Sequence, residues 1–307
     1  MIEPAIVVVR LLQYAGATIL LGSSLFFVYA FPRSNPASAA MTRGARPLVA
    51  AAAAVLAVAA VLGIAAQASR FAGSFAEGFT LEAMTAVVTY MDLGKAAVVR
   101  AAAAVVALAV LLVLPPGRAS WLATSALGAI CAASLSWMGH AAATEGSLGA
   151  LHLASDAIHA LAAAIWIGAL VGFSLLLMRP PRTAEGRDAL HAALQRFSGI
   201  GLWVVAILVL TGAINGWILV GFVHAADLLE TPYGRLLTLK LVLFLAMLAL
   251  AAANRFRLAP VLATVGPPGR TELALGRLRR SVAWETVAGL AVLALVAWLG
   301  TLAPRAG

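Results

Sequence analysis

Two histidines and an aspartate interrupt the apolar run LHLASDAIHALAAAIWIGAL, residues 151–170. On a helix rising about 1.5 Å and turning roughly 100° per residue, Asp156 falls about 6 Å along and about 40° round from His152. His159 falls about 10 Å along and about 20° to the other side, so His152, Asp156 and His159 share one narrow stripe. A fourth candidate, His140 in SWMGHAAATEG, closes the preceding apolar segment. The connection to His152 is short, which predicts antiparallel neighbouring helices whose polar groups can meet.

Neutral imidazole and carboxylate are ligands for divalent copper, zinc or iron, and imidazole also suits haem iron. A single ion held by both His152 and His159 would strain the reach of the rings. Two arrangements remain: His140 with two members of the stripe, or two stations along an inward path. Met84, Met91 and Met138 lie on the same side, and thioethers favour monovalent copper. His224, in GFVHAADLLETP, reads as a solvated loop residue.

These groups must be positioned by helices that cross a membrane. Of 307 residues, 63% are hydrophobic and 11% charged, with a mean hydropathy of +1.00. A spanning helix needs about 20 mostly apolar residues. Eight segments qualify, at approximately 5–31, 47–68, 94–114, 119–139, 150–178, 197–222, 234–253 and 281–302. Strand-like alternation is absent, which predicts an all-α polytopic bundle rather than a barrel. No linker separates two units, so residues 1–307 read as a single integral membrane domain. The N-terminal segment lacks a basic n-region and is read as a retained first helix.

The net charge of +9 is unevenly spread. Arginines crowd every second loop, at 32–46, 115–118, 179–196 and 254–280, while the alternate loops carry Glu77, Glu82, Asp92, Glu145, Asp227 and Glu230. This positive-inside pattern predicts that both termini are extracytoplasmic and argues against a nucleic-acid partner. The basic helix TELALGRLRR is expected on the cytoplasmic surface, with membrane lipid as its partner. Residues 69–93 read as an interfacial or re-entrant segment.

An ionisable group in hydrocarbon costs several kcal/mol unless paired or hydrated. Arg10 and Lys240 can snorkel to the interface, while Arg100 and Asn215 are placed to neutralise or orient Asp156. Glu285 is left as a polar group on the cytoplasmic, exit side, and His191 is assigned to a solvated face. Cys131 reads as a packing residue. The pairs Gly168 with Gly172 and Gly212 with Gly216 read as close helix contacts. No phosphate loop, Rossmann glycine pattern or HExxH occurs, and Ser155 beside Asp156 does not form a hydrolase triad.

The stretch RFSGIGLWVVAILVLTGAINGWILVG with LLETPYGRLLTLKLVLFLAMLALAAANRFRLAP resembles the CopD copper-resistance family of bacterial inner-membrane proteins, most specifically across 195–260. GHAAA at 139–143, the stripe at 151–170 and RLLQYAGATILLG resemble the same family's fourth, fifth and first helices. The resemblance implies an eight-helix plan and copper transport or tolerance without enzymatic chemistry. It carries His140, His152 and His159 over as matching histidines and implies a separate periplasmic CopC-like partner. Gln13 stands where family members often have histidine. Two alternatives stay open: a b-type haem electron-transfer protein, and an assembly factor that delivers copper.

Overall fold

The computed structural model describes residues 2–31, 42–178, 183–221, 229–258 and 268–304. Among them there is no strand, and eight helices are long and apolar enough to cross a membrane. They are α1 (Ile2–Ala30), α2 (Arg46–Ala72), α3 (Asp92–Val113), α4 (Arg118–Met138), α5 (Gly146–Met178), α6 (Asp188–Leu219), α7 (Pro232–Arg257) and α8 (Leu273–Leu299). The predicted spans match one for one. Two helices begin well before their apolar stretch. The α6 helix starts at Ala184 and the α8 helix at Pro268, so TELALGRLRR continues into the last span instead of lying as a separate surface helix. The short helices Phe75–Gly78 and Leu81–Tyr90 lie between α2 and α3, capped by the hydroxyls of Ser74 and Thr80.

Threonine side chains also open two long helices. Thr183 Oγ1 accepts from Gly186 N–H at 3.2 Å, and Thr231 Oγ1 accepts from Gly234 N–H at 3.0 Å. Pro232 occupies the first turn of α7, where its missing N–H costs nothing.

α1 and α5 form the centre. Their crossing lies where α1 widens into a π turn, Ile19–Ser23, and Gly22 meets Gly168. A Cβ on either glycine would collide with backbone of the other helix. Ser23 Oγ donates to Gly168 O at 2.7 Å across the same contact. Gly168 thus fulfils its predicted packing role. Gly216 does not, because nothing would meet a Cβ there. Gly212 has only the His159 ring nearby, and both residues line a cavity.

α1 packs on α2, α5 and α8; α3 lies between α2 and α4; α6 packs on α5 and on the far part of α1; α7 packs chiefly on α8. The cavity occupies the space left between α6 and α7. Both described termini lie at one end of the bundle, the terminal end. At the opposite end, arginines bond helix carbonyls. Arg46 donates to Leu111 O and Leu114 O, Arg118 to Val28 O at 2.9 Å, and Arg196 to Ala30 O at 2.6 Å. Cationic donors satisfy the last-turn carbonyls of α1 and α3 and complement their dipoles.

Candidate metal-handling cavity

A cavity of about 650 Å³ lies in the terminal half of the bundle, walled by α1, the α4–α5 link, α5, α6, α7 and α8. His140, His152, Asp156 and His159 all border it. The stripe on α5 continues into its wall as the helical spacing predicts, and it does not stop at His159. Trp166 lies seven residues further on, again close to the same helical face, and lines the cavity with Phe244 set edge-on to it at 5.9 Å.

Each histidine is held by one ring nitrogen. His140 Nε2 lies 2.8 Å from Leu302 O, next to the end of α8. A carbonyl only accepts, so Nε2–H donates and the neutral ring keeps its lone pair on Nδ1. Burial pushes the His140 imidazole below its ordinary value of 6.5, and the Leu302 bond only partly opposes this. The ring is therefore neutral at physiological pH, as a ligand must be.

His159 Nδ1 lies 2.9 Å from Thr211 Oγ1, whose own proton goes to Ile207 O at 2.6 Å. Thr211 thus accepts from Nδ1–H, and Nε2 holds the His159 lone pair. His152 is 1% exposed, with Nδ1 2.7 Å from Thr144 Oγ1. That hydroxyl also reaches His140 O at 3.3 Å, so Thr144 ties the two histidines together.

Asp156 has Asn215 beside it, Nδ2 to Oδ1 at 3.5 Å, in line with the role expected of Asn215. Arg100 departs from its expected role. It is fully buried elsewhere, donating to Gln13 Oε1, to Ser134 Oγ at 3.0 Å, to Ser134 O at 2.6 Å and to Met138 Sδ at 2.9 Å. Its long side chain is drawn to acceptors on α1 and on the 3₁₀ turn that ends α4. The Met138 sulfur therefore faces a guanidinium, while Met84 and Met91 pack against a small apolar cluster around Val87. His224 lies outside the described residues.

Lys240 lines the cavity opposite Asp156 without forming an ion pair; among the described residues the only one is Lys95–Asp92 on the surface. Among the described residues, no three His, Cys, Asp or Glu side chains stand close enough to hold one ion. The four candidates therefore border one space without forming a closed coordination shell. Tyr14, Tyr233 and Trp166 lie in stretches that carry the family resemblance but are not among the candidate site residues, and all three line this cavity. Trp166 is the one that spacing could have found, by repeating the seven-residue step from His152 to His159.

Residues 1–150 match the family described as copper resistance protein D-like, N-terminal domain, and residues 191–299 match copper resistance protein D. The chain is similar to copper resistance protein D of Pseudomonas syringae pv. tomato, 35% identical over 99% of this chain and 98% of the relative. It is 34% identical to inner membrane protein YebZ of Escherichia coli strain K12 over 41% of this chain and 42% of that protein. Copper transport protein CutJ of Bacillus subtilis strain 168 is 30% identical over 38% of this chain and 20% of its own. No solved structure matches.

Proposed function

We propose, from the premise that this chain belongs to the copper resistance protein D family, that it moves copper across the membrane it spans. The family consists of copper resistance and transport membrane proteins and is not an enzyme family. The observation that carries the proposal is the shared cavity. Three imidazoles and a carboxylate border one space within the membrane-spanning bundle, with Arg10 and Lys240 also in its wall, and cation handling repays the cost of placing them there.

In this proposal both termini are extracytoplasmic, so the cavity faces the periplasmic side. Copper is captured by His140 and His152 beside the α4–α5 link, then handed about 10 Å inward along α5 to His159. Asp156 supplies negative charge between the two levels and Asn215 orients it. Separate, incomplete stations suit a transporter, because an ion must leave each site as well as enter it. A separate CopC-like periplasmic protein delivers the cargo, and the exposed apolar faces of α3 and α7 meet lipid.

The decisive measurement is copper flux in sealed vesicles containing the purified protein. Wild type is expected to pass copper, with flux falling at least tenfold in His152→Ala and in His159→Ala. Retained copper without flux would favour the assembly-factor alternative instead. A b-type haem finds no support in these relatives, and an absorption spectrum without a Soret band would exclude it.

A further inference from the structure

Glu285, on α8, is fully buried and takes no part in the copper path described above. It is 14 residues from Leu299, or about 21 Å along the helix, and thus deep within the bundle. Its two oxygens each meet one neutral donor. Trp166 Nε1–H donates to Oε1 at 3.1 Å, and Asn254 Nδ2–H donates to Oε2 at 3.2 Å. Trp166 is the same indole that forms the cavity wall beyond His159, so the carboxyl sits directly behind the last residue of the α5 stripe.

Among the described residues, no cation pairs with this carboxyl. Arg255, next to Asn254, turns away to donate to Ser198 O at 2.9 Å on α6. Arg255 and Arg257 are both exposed. Lys240 lies 14 residues back along α7, about 21 Å away along the helix, in the cavity. On the faces around Glu285, Thr286 on α8 shares a hydrogen bond with Ser174 on α5 at 3.0 Å. A bare carboxylate here would face hydrocarbon with only two neutral hydrogen bonds to offset its charge.

Asn254 is 7% exposed and holds its amide on the carboxyl through Nδ2–H. A proton on Glu285 removes the uncompensated buried charge and leaves both hydrogen bonds in place, because each carboxyl oxygen keeps a lone pair for its donor.

We propose that Glu285, Asn254 and Trp166 form a proton-carrying station below the cavity. In the resting protein Glu285 holds a proton while Trp166 and Asn254 donate to its oxygens, and it releases that proton to water as a cation reaches the cavity at Trp166. The carboxylate left behind then offsets the charge of the ion. Only this release step rests on the copper proposal; the resting proton does not.

Infrared spectroscopy of the purified full-length protein tests both halves. The wild type minus Glu285→Gln difference spectrum should contain the C=O stretch of one protonated carboxyl, sensitive to deuterium. Asn254→Ala should displace that band, and Asp156→Asn should leave it in place. A difference spectrum without the band would overturn the station. Should Glu285→Gln not fold, the Asn254→Ala displacement in otherwise native protein decides the same point. Adding copper should remove the wild-type band and release one proton per ion. Copper that binds while the band persists overturns the release step, whereas absence of copper binding with the band present removes the copper proposal and leaves the station standing.

Discussion

The most informative residues are those that hold the histidines rather than the histidines alone. Thr211 spends its only proton on Ile207 O, and this fixes the His159 tautomer with its lone pair on Nε2. Supporting groups of this kind typically govern metal affinity by 10–100-fold. Thr211→Val should therefore weaken copper binding about tenfold or more, measured by competition with a chelator, while the protein remains folded. His140 supports a second prediction, on pH. Its folded-state value lies below 6.5, so the folded protein binds fewer protons than the unfolded chain as pH falls through that value. Stability contributed by the neutral ring is complete above about 6.5 and declines below it. Thermal unfolding in detergent should shift to lower temperature from pH 7 to pH 5.5, and His140→Gln should flatten that dependence.

At the scale of elements, the crossing of α1 and α5 sets where the cavity can form. The π turn at Ile19–Ser23 and the paired glycines Gly22 and Gly168 bring the two backbones together, locked by Ser23 Oγ on Gly168 O. Small residues allow this approach where lipid offers no hydrophobic drive for helix association. Gly168→Val should cost about 1–3 kcal/mol by overpacking, seen as reduced thermal stability of the purified protein. Gly212→Ala faces only the His159 ring at 3.6 Å, an ordinary contact. It should leave thermal stability near that of wild type, so comparing the two substitutions separates a packing glycine from a cavity-lining one.

At the scale of the molecule, the arginine-rich end and the cavity-bearing end lie on opposite sides of the bundle. Arg46, Arg118 and Arg196 combine two roles there, since the residues that carry the positive-inside signal also satisfy the ends of α1 and α3. If the arginine-rich end faces the cytoplasm, alkaline phosphatase fused after residue 304 should be active in cells and a fluorescent protein that folds only in the cytoplasm should be dark. The reverse pattern would invert the proposed direction of copper capture.

Apolar length alone determined the eight spans, because a bilayer of fixed thickness demands about 20 such residues whatever their neighbours. Helical periodicity likewise determined that His152, Asp156 and His159 share a face, and the short link put His140 within their reach. The copper-resistance resemblance rested on local stretches that survive without knowledge of packing. Only the tertiary structure decided what lies opposite that face. Arg100 went to Gln13 and Ser134 instead of Asp156, Gly212 and Gly216 opened a cavity instead of closing a crossing, and Trp166 joined the stripe to Glu285 and Asn254. Those outcomes depend on how helices distant in sequence rotate against one another, and helical periodicity fixes only where a residue lies on its own helix.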